Sequence, residues 1–155
     1  AVYNRETITV VILDNRITGM TGHQQNPATG YDIHNQPAPQ LNLEKLVESC
    51  GVTDVRVVDP FDLKATEQAI REATANEQVS VVIARRPCAL LDKTVRPPYV
   101  IDGCRGCGAC MKLSCPAIER YGKLVEINPA LCSGCGMCAQ VCPFKAIKSG
   151  REERV

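Results

Sequence analysis

Apolar side chains come in short unbroken runs over the first half of the chain and thin out over the second. Thr7-Ile-Thr-Val-Val-Ile-Leu13 is nearly continuous and mostly β-branched. That pattern predicts a strand buried on both faces, as in a parallel sheet. Leu43, Leu46, Val47 and Cys50 recur at helical spacing, and Gly51 sits where a C-terminal cap belongs. Val55 to Val58 predicts a second strand. Asp62 is placed to cap a helix with Ala65, Ala69, Ile70 and Ala73 on one face, and Val79 to Ala84 predicts a third buried strand. Strand, helix, strand, helix, strand predicts βαβ units and a parallel sheet with helices on its faces.

In such sheets ligands bind beyond the carboxyl ends of the strands. The polar, glycine-bearing stretch from Asp14 to Gln24 follows the first strand and is the candidate site of this half. Residues 25 to 40, rich in Asn, Pro, Gly and Gln, predict a surface loop. Arg85-Arg86-Pro87 and Arg96-Pro97-Pro98 read as connecting chain, because prolines stiffen a connection and block helix. The expected division is a first domain over 1–90, a linker over 91–98, a second domain over 99–150 and a charged tail over 151–155. Within the second domain Lys123 to Ile127 alternates like a strand, and Asn128-Pro129 marks a turn.

Composition narrows the picture. Hydrophobic residues at 45% and charged residues at 23% are ordinary for a globular protein. A net charge of +1 and six aromatics, none of them Trp, make no case for a nucleic-acid partner. No apolar run reaches the roughly 18 residues of a membrane span. Ten cysteines change the reading most, because eight of them lie between residues 104 and 142. Cys50 and Cys88 stand apart and read as buried small side chains.

The eight form two runs, Cys104-Arg-Gly-Cys107-Gly-Ala-Cys110-Met-Lys-Leu-Ser-Cys115-Pro116 and Cys132-Ser-Gly-Cys135-Gly-Met-Cys138-Ala-Gln-Val-Cys142-Pro143. Each offers three thiols at a spacing that wraps three corners of a cubane, then a fourth before proline. This is the ligand spacing of two 4Fe–4S clusters, in which the cysteine before proline serves the other cluster. One cluster would take Cys104, Cys107, Cys110 and Cys142, and the other Cys132, Cys135, Cys138 and Cys115. Four residues rather than three separate Cys110 from Cys115, which lengthens one loop and leaves the assignment intact. Zinc ribbons use pairs rather than triplets, and a disulfide framework suits a small secreted chain. Free thiols beside iron–sulfur ligation imply a reducing cytoplasm.

The stretch Ile12-Leu-Asp-Asn15-Arg-Ile17-Thr-Gly-Met-Thr-Gly-His23-Gln24, followed by the double cysteine block, resembles the α subunits of indolepyruvate:ferredoxin oxidoreductases. More broadly it resembles the thiamine-diphosphate-dependent 2-oxoacid:ferredoxin oxidoreductases. The resemblance implies an α/β parallel-sheet half of a thiamine-diphosphate domain, followed by a small α+β ferredoxin-like domain with two clusters. It implies that the Asn15 side chain and the Ile17 carbonyl bind the Mg²⁺ that bridges the diphosphate. Thr18, Gly19, Met20 and Thr21 would line the cofactor, with Gly22 allowing close approach; the family commonly has Ala where Gly19 stands. His23 is either a contact to diphosphate or substrate acid, or a loop histidine without a role; His34 has none.

The implied reaction is oxidative decarboxylation of an aryl 2-oxoacid such as indolepyruvate. Coenzyme A takes the acyl group, and the clusters pass electrons to ferredoxin. The implied partners are the remainder of the α subunit and a smaller β subunit. Fourteen residues precede Asn15, too few for the upstream Gly-Asp-Gly/Ser half of the site, and the glutamate that activates the thiamine ring has no candidate here. The expectation is a C-terminal piece of a longer subunit, inactive alone. A pyruvate-like 2-oxoacid oxidoreductase, a stand-alone electron carrier and a subunit stapled by its clusters are the competing readings.

Overall fold

The computed structural model describes residues 1–91, 94 and 96–150. The expected tail lies outside the described residues, as do positions 92, 93 and 95 of the expected linker. The chain divides into two compact units, Ala1–Asp92 and Lys93–Val155.

In the first unit three strands, β1 (Thr9–Asp14), β2 (Asp54–Val58) and β3 (Ser80–Arg85), form a sheet of order β1-β3-β2. Both pairings are parallel. Its helices are α1 (Leu43–Ser49) and α2 (Leu63–Ala75). The Asn42 and Asp62 side chains accept the Lys45 and Ala65 amides and so start them. Gly51 follows α1 at φ +85°, a left-handed value that favours glycine.

Central β3 alternates its burial between two layers. Val79, Val81 and Ile83 join Val52, with Leu43 and Val47 of α1 packed against them. On the opposite face Val82 packs on Ala69 and Ala73 of α2. Ile83 and Val82 are wholly buried, which is worth roughly 1.5–3 kcal/mol each.

β1 departs from expectation. Its run predicts burial on both faces, yet Val10, Val11 and Leu13 are 39%, 43% and 79% exposed. It pairs on one side only, and only Ile12 joins a core cluster, so β1 is an edge strand. Arg85, read as connecting chain, is instead the last residue of β3, paired in register with Asp14. Cys50 is exposed rather than buried, because it caps α1 instead of extending the apolar face.

In the second unit β4 (Tyr99–Ile101) pairs antiparallel with β7 (Ile147–Ser149). β5 (Ile118–Tyr121) and β6 (Leu124–Ile127) form a hairpin. A 3₁₀ turn at Ala109–Leu113 and the short helix α3 (Met137–Val141) each follow a cysteine loop. The core here is small and thiol-rich: Cys110 and Cys138 sit among Ile118, Val125 and Ile147.

Candidate functional site

The two cysteine loops are built alike. Each carries two glycines at left-handed φ, +68° and +73° at Gly106 and Gly108, and +68° and +79° at Gly134 and Gly136. At Gly134 the requirement is also steric, since a Cβ would lie 2.6 Å from Arg96 Cβ and 2.8 Å from the Pro97 carbonyl oxygen. At Gly106 a Cβ would collide with the Lys123 carbonyl. Bare backbone is therefore needed for each loop to curl against its neighbouring segment.

The fold brings the eight thiols into two groups of four. Cys104, Cys107, Cys110 and Cys142 line one cavity, closed on its apolar side by Ile101, Val125, Phe144 and Ile147. Burial raises the Cys110 thiol pKa, and its neighbours Cys104, Cys107 and Cys142 push in the same direction. Cys138 is pushed up to about 11, chiefly by burial and then by Cys135, Cys132 and Cys115. Each group thus takes three thiols from one run and the pre-proline thiol from the other.

Backbone amides of Gly106 and Ala146 donate to the sulfurs of Cys104 and Cys142 at 3.4 and 3.3 Å, and that of Tyr99 donates to Cys132 at 3.4 Å. Such donors stabilise thiolate and raise cluster potentials. Among the described residues no three His, Cys, Asp or Glu side chains converge to hold a single metal ion. A cubane asks for a wider array, because each of its four irons takes one thiolate. Four thiols around one cavity fit that demand.

The second candidate region is the loop after β1. Asn15 is exposed; its Oδ1 accepts the Ile17 amide at 3.2 Å and its carbonyl accepts the Cys88 amide at 2.9 Å. Ile17 buries its side chain. Thr18 and Gln24 exchange two backbone hydrogen bonds, 3.0 and 3.1 Å, closing a small loop over Gly19, Met20, Thr21, Gly22 and His23. Of these, Gly19 is half-buried and the rest are exposed, Met20 completely. The Asn15 amide nitrogen would lie 3.8 Å from a Cβ on Gly19. His23 takes a left-handed φ of +60°, and among the described residues no hydrogen bond ties down its side chain. His34 lies in a separate exposed turn, where its amide donates to Asp32.

Three residues to which the sequence reading gave no role at the site adjoin this loop. Asp14 is buried, and its Oδ2 accepts Arg85 Nε at 2.8 Å. The other two guanidinium nitrogens of Arg85 donate to Glu44 at 2.7 Å each. Glu44 is held at a pKa of about 2, chiefly by that hydrogen-bonded guanidinium. The only sequence signal was an aspartate ending a hydrophobic run. Arg16, Asn42, Glu44 and Arg85 line a polar cavity of about 180 Å³ at this end of the sheet. A larger cavity of about 300 Å³, bordered by Thr53, Gln78 and Val79, lies at the amino ends of β2 and β3, away from where parallel sheets bind ligands.

Two family models match, one in each unit of the chain. Residues 1–84 match the family model for the C-terminal TPP-binding domain of thiamine pyrophosphate enzymes, and residues 125–148 match that for a 4Fe-4S binding domain. The chain is 42% identical over 164 residues to indolepyruvate oxidoreductase subunit IorA of Pyrococcus abyssi, covering 98% of the chain and 25% of that protein. IorA of Archaeoglobus fulgidus is 39% identical, over 97% of the chain and 26% of that protein. The chain therefore spans about a quarter of the length of these relatives.

A pyruvate synthase subunit, PorD of Methanothermobacter marburgensis, is 43% identical over 61 residues, 39% of the chain and 73% of that protein. No solved structure matches. Among the described residues no helix is long and apolar enough to cross a membrane. The chain belongs to the thiamine pyrophosphate enzymes, through their C-terminal cofactor-binding domain, and joins to it a 4Fe-4S binding segment.

Proposed function

We propose that the chain is the electron-exit part of an oxidoreductase that oxidatively decarboxylates aryl 2-oxoacids such as indolepyruvate. Coenzyme A would take the acyl group, and the two cysteine quartets would hold the 4Fe–4S clusters through which electrons leave for ferredoxin. The observation that carries the reading is a thiamine-type domain and two crossed thiol quartets in one chain.

Thiamine diphosphate, when bound, supplies the electron sink that lets a 2-oxoacid lose CO₂. In this chain Asn15 Oδ1 and the Ile17 carbonyl are the hard oxygen donors offered to Mg²⁺, which suits oxygen ligands. Gly19 to Gly22 present little side-chain bulk except Met20, so backbone can approach a diphosphate. His23, at the exposed tip, is placed to meet diphosphate or a substrate carboxylate. The quartets Cys104, Cys107, Cys110, Cys142 and Cys132, Cys135, Cys138, Cys115 hold one cluster each. Four thiolates without histidine suit low potentials within the range of about −700 to +450 mV open to such clusters. The rest of the α subunit and a smaller β subunit complete the site.

The likeness to a pyruvate synthase subunit favours a second reading, a pyruvate-like substrate, but it is confined to 39% of the chain. Anaerobic mixing of the complete enzyme with coenzyme A and either indolepyruvate or pyruvate separates the two. Bleaching of the cluster absorbance by indolepyruvate supports the first reading; bleaching by pyruvate alone supports the second, and by neither contradicts both.

A further inference from the structure

The Asn15 turn is held in an unfavourable shape. Arg16, between the two candidate Mg²⁺ donors, has φ +59°, a left-handed value that a residue bearing a Cβ rarely adopts. A turn of that kind persists only when its surroundings over-determine it. Here the determinants are visible. Asp14 Oδ1 accepts the Arg16 amide at 3.2 Å, while Asp14 Oδ2 is gripped by Arg85 at 2.8 Å. The Asp14 and Asn15 carbonyls accept the Arg86 and Cys88 amides at 3.0 and 2.9 Å. The planar fork of Arg85 also reaches Glu44 in the first turn of α1 with two bonds. A lysine could not hold both carboxylates in this fixed geometry.

We propose that Arg85 is a positioning residue: by gripping Asp14 it keeps the Asn15–Ile17 turn in the shape that Mg²⁺ and its diphosphate meet. This rests on the thiamine reading above. Arg85 touches neither ion nor cofactor in that scheme; it acts through Asp14. Glu44 is its outer anchor; among the described residues it makes no hydrogen bond to the turn and feels it only through the Arg16 charge.

The test uses the full chain carrying Arg85→Gln, Arg85→Lys or Glu44→Gln. It has two readouts: hydrogen exchange at the Arg16 and Ile17 amides without ligand, and, with the same substitutions in the complete enzyme, Mg²⁺-dependent affinity for thiamine diphosphate. Arg85→Gln is expected to speed exchange at both amides about tenfold and to weaken binding by about tenfold, as losses around metal ligands do. Arg85→Lys, which keeps a cation beside Asp14, recovers most of both. Glu44→Gln changes neither by more than about threefold, whatever its effect on melting temperature.

Equal effects of Glu44→Gln and Arg85→Gln, or unchanged exchange in both Arg85 variants, would overturn the proposal. Should Arg85→Gln not fold, Asp14→Asn takes its place: exchange at the Arg16 and Ile17 amides clearly faster than in Glu44→Gln supports the proposal, and exchange no faster than in Glu44→Gln overturns it. A complete wild-type enzyme that binds no thiamine diphosphate contradicts the cofactor reading, while the exchange result still decides the grip.

Discussion

The two units carry their chemistry in opposite ways. In the second, the reactive groups are themselves the core: Cys110 and Cys138 are two of five buried core residues, so ligand and scaffold are one. In the first, the core is hydrocarbon around β3, and the candidate site is an exposed loop at the end of a strand. It is held by an ion-pair network that reaches the loop through Asp14, which pairs with Arg85 at 2.8 Å and with Arg16 at 3.5 Å. The second unit should therefore fail as a whole when its cofactor is lost. The first should keep its fold when its site is damaged.

The largest expected effect breaks the second unit. Cys142→Ser removes a thiol from the second run but, by the crossed assignment, deprives the quartet of Cys104, Cys107 and Cys110. Metal binding at such sites is also folding free energy. Iron per chain after anaerobic reconstitution should drop by half or more from about eight. Full iron content in this variant would refute the crossing.

Next comes the core of the first unit. Ile83→Ala should cost about 2–5 kcal/mol in denaturant unfolding, since Ile83 is wholly buried at the sheet centre. Leu13→Ala, at a position 79% exposed, should stay within about 0.5 kcal/mol. Equal losses would mean that β1 is covered in solution.

A smaller effect separates sterics from backbone strain in the cysteine loops. Gly134→Ala drives a Cβ into Arg96 and Pro97 and should cost about 2–3 kcal/mol, from strain plus overpacking. Gly122→Ala has a similar φ of +60° with nothing within 4 Å of a new Cβ, so about 1 kcal/mol is expected. Unfolding of the iron-loaded protein compares them, and an equal cost would remove the steric argument.

The smallest concerns pH. Arg85 lowers the folded pKa of Glu44 from 4.5 to about 2. A depressed carboxylate contributes stability that is present above its unfolded value and lost as pH falls through the folded one. The window is therefore about pH 4.5 down to 2. The pair is partly solvated, so about 1 kcal/mol is the expected size. Glu44→Gln should flatten this part of the stability curve relative to wild type; an unchanged slope would show that the ion pair adds nothing.

What could be read in advance follows the same contrast. Ligand spacing is a local property, so the cysteine runs declare their quartets within a few residues, and the exchange of pre-proline thiols follows from a general rule. β3 was legible because Val79 to Ala84 admits little but a buried strand. Thr7 to Leu13 has the same character, yet an apolar run cannot say whether both its faces are covered. Arg85 was misread because the adjacent Arg86-Pro87 looks like connecting chain. What makes Arg85 part of a strand is Asp14, which lies 71 positions earlier in the sequence. Long-range pairs of that kind leave no local trace. The loop from Asn15 to His23 was legible as a candidate site from its place after the first strand, but the roles of its residues only by family resemblance, since its polar residues repeat no pattern that chemistry alone would single out.

The central claim is that eight cysteines hold two cubanes in a chain that begins as a thiamine domain. Iron and acid-labile sulfide analysis of the anaerobically reconstituted protein, read together with EPR after dithionite reduction, tests it most directly. About eight irons and eight sulfides per chain are expected, with the broadened signal of two interacting reduced 4Fe–4S clusters. About four irons with a single uncoupled signal, or stoichiometric zinc, would contradict it.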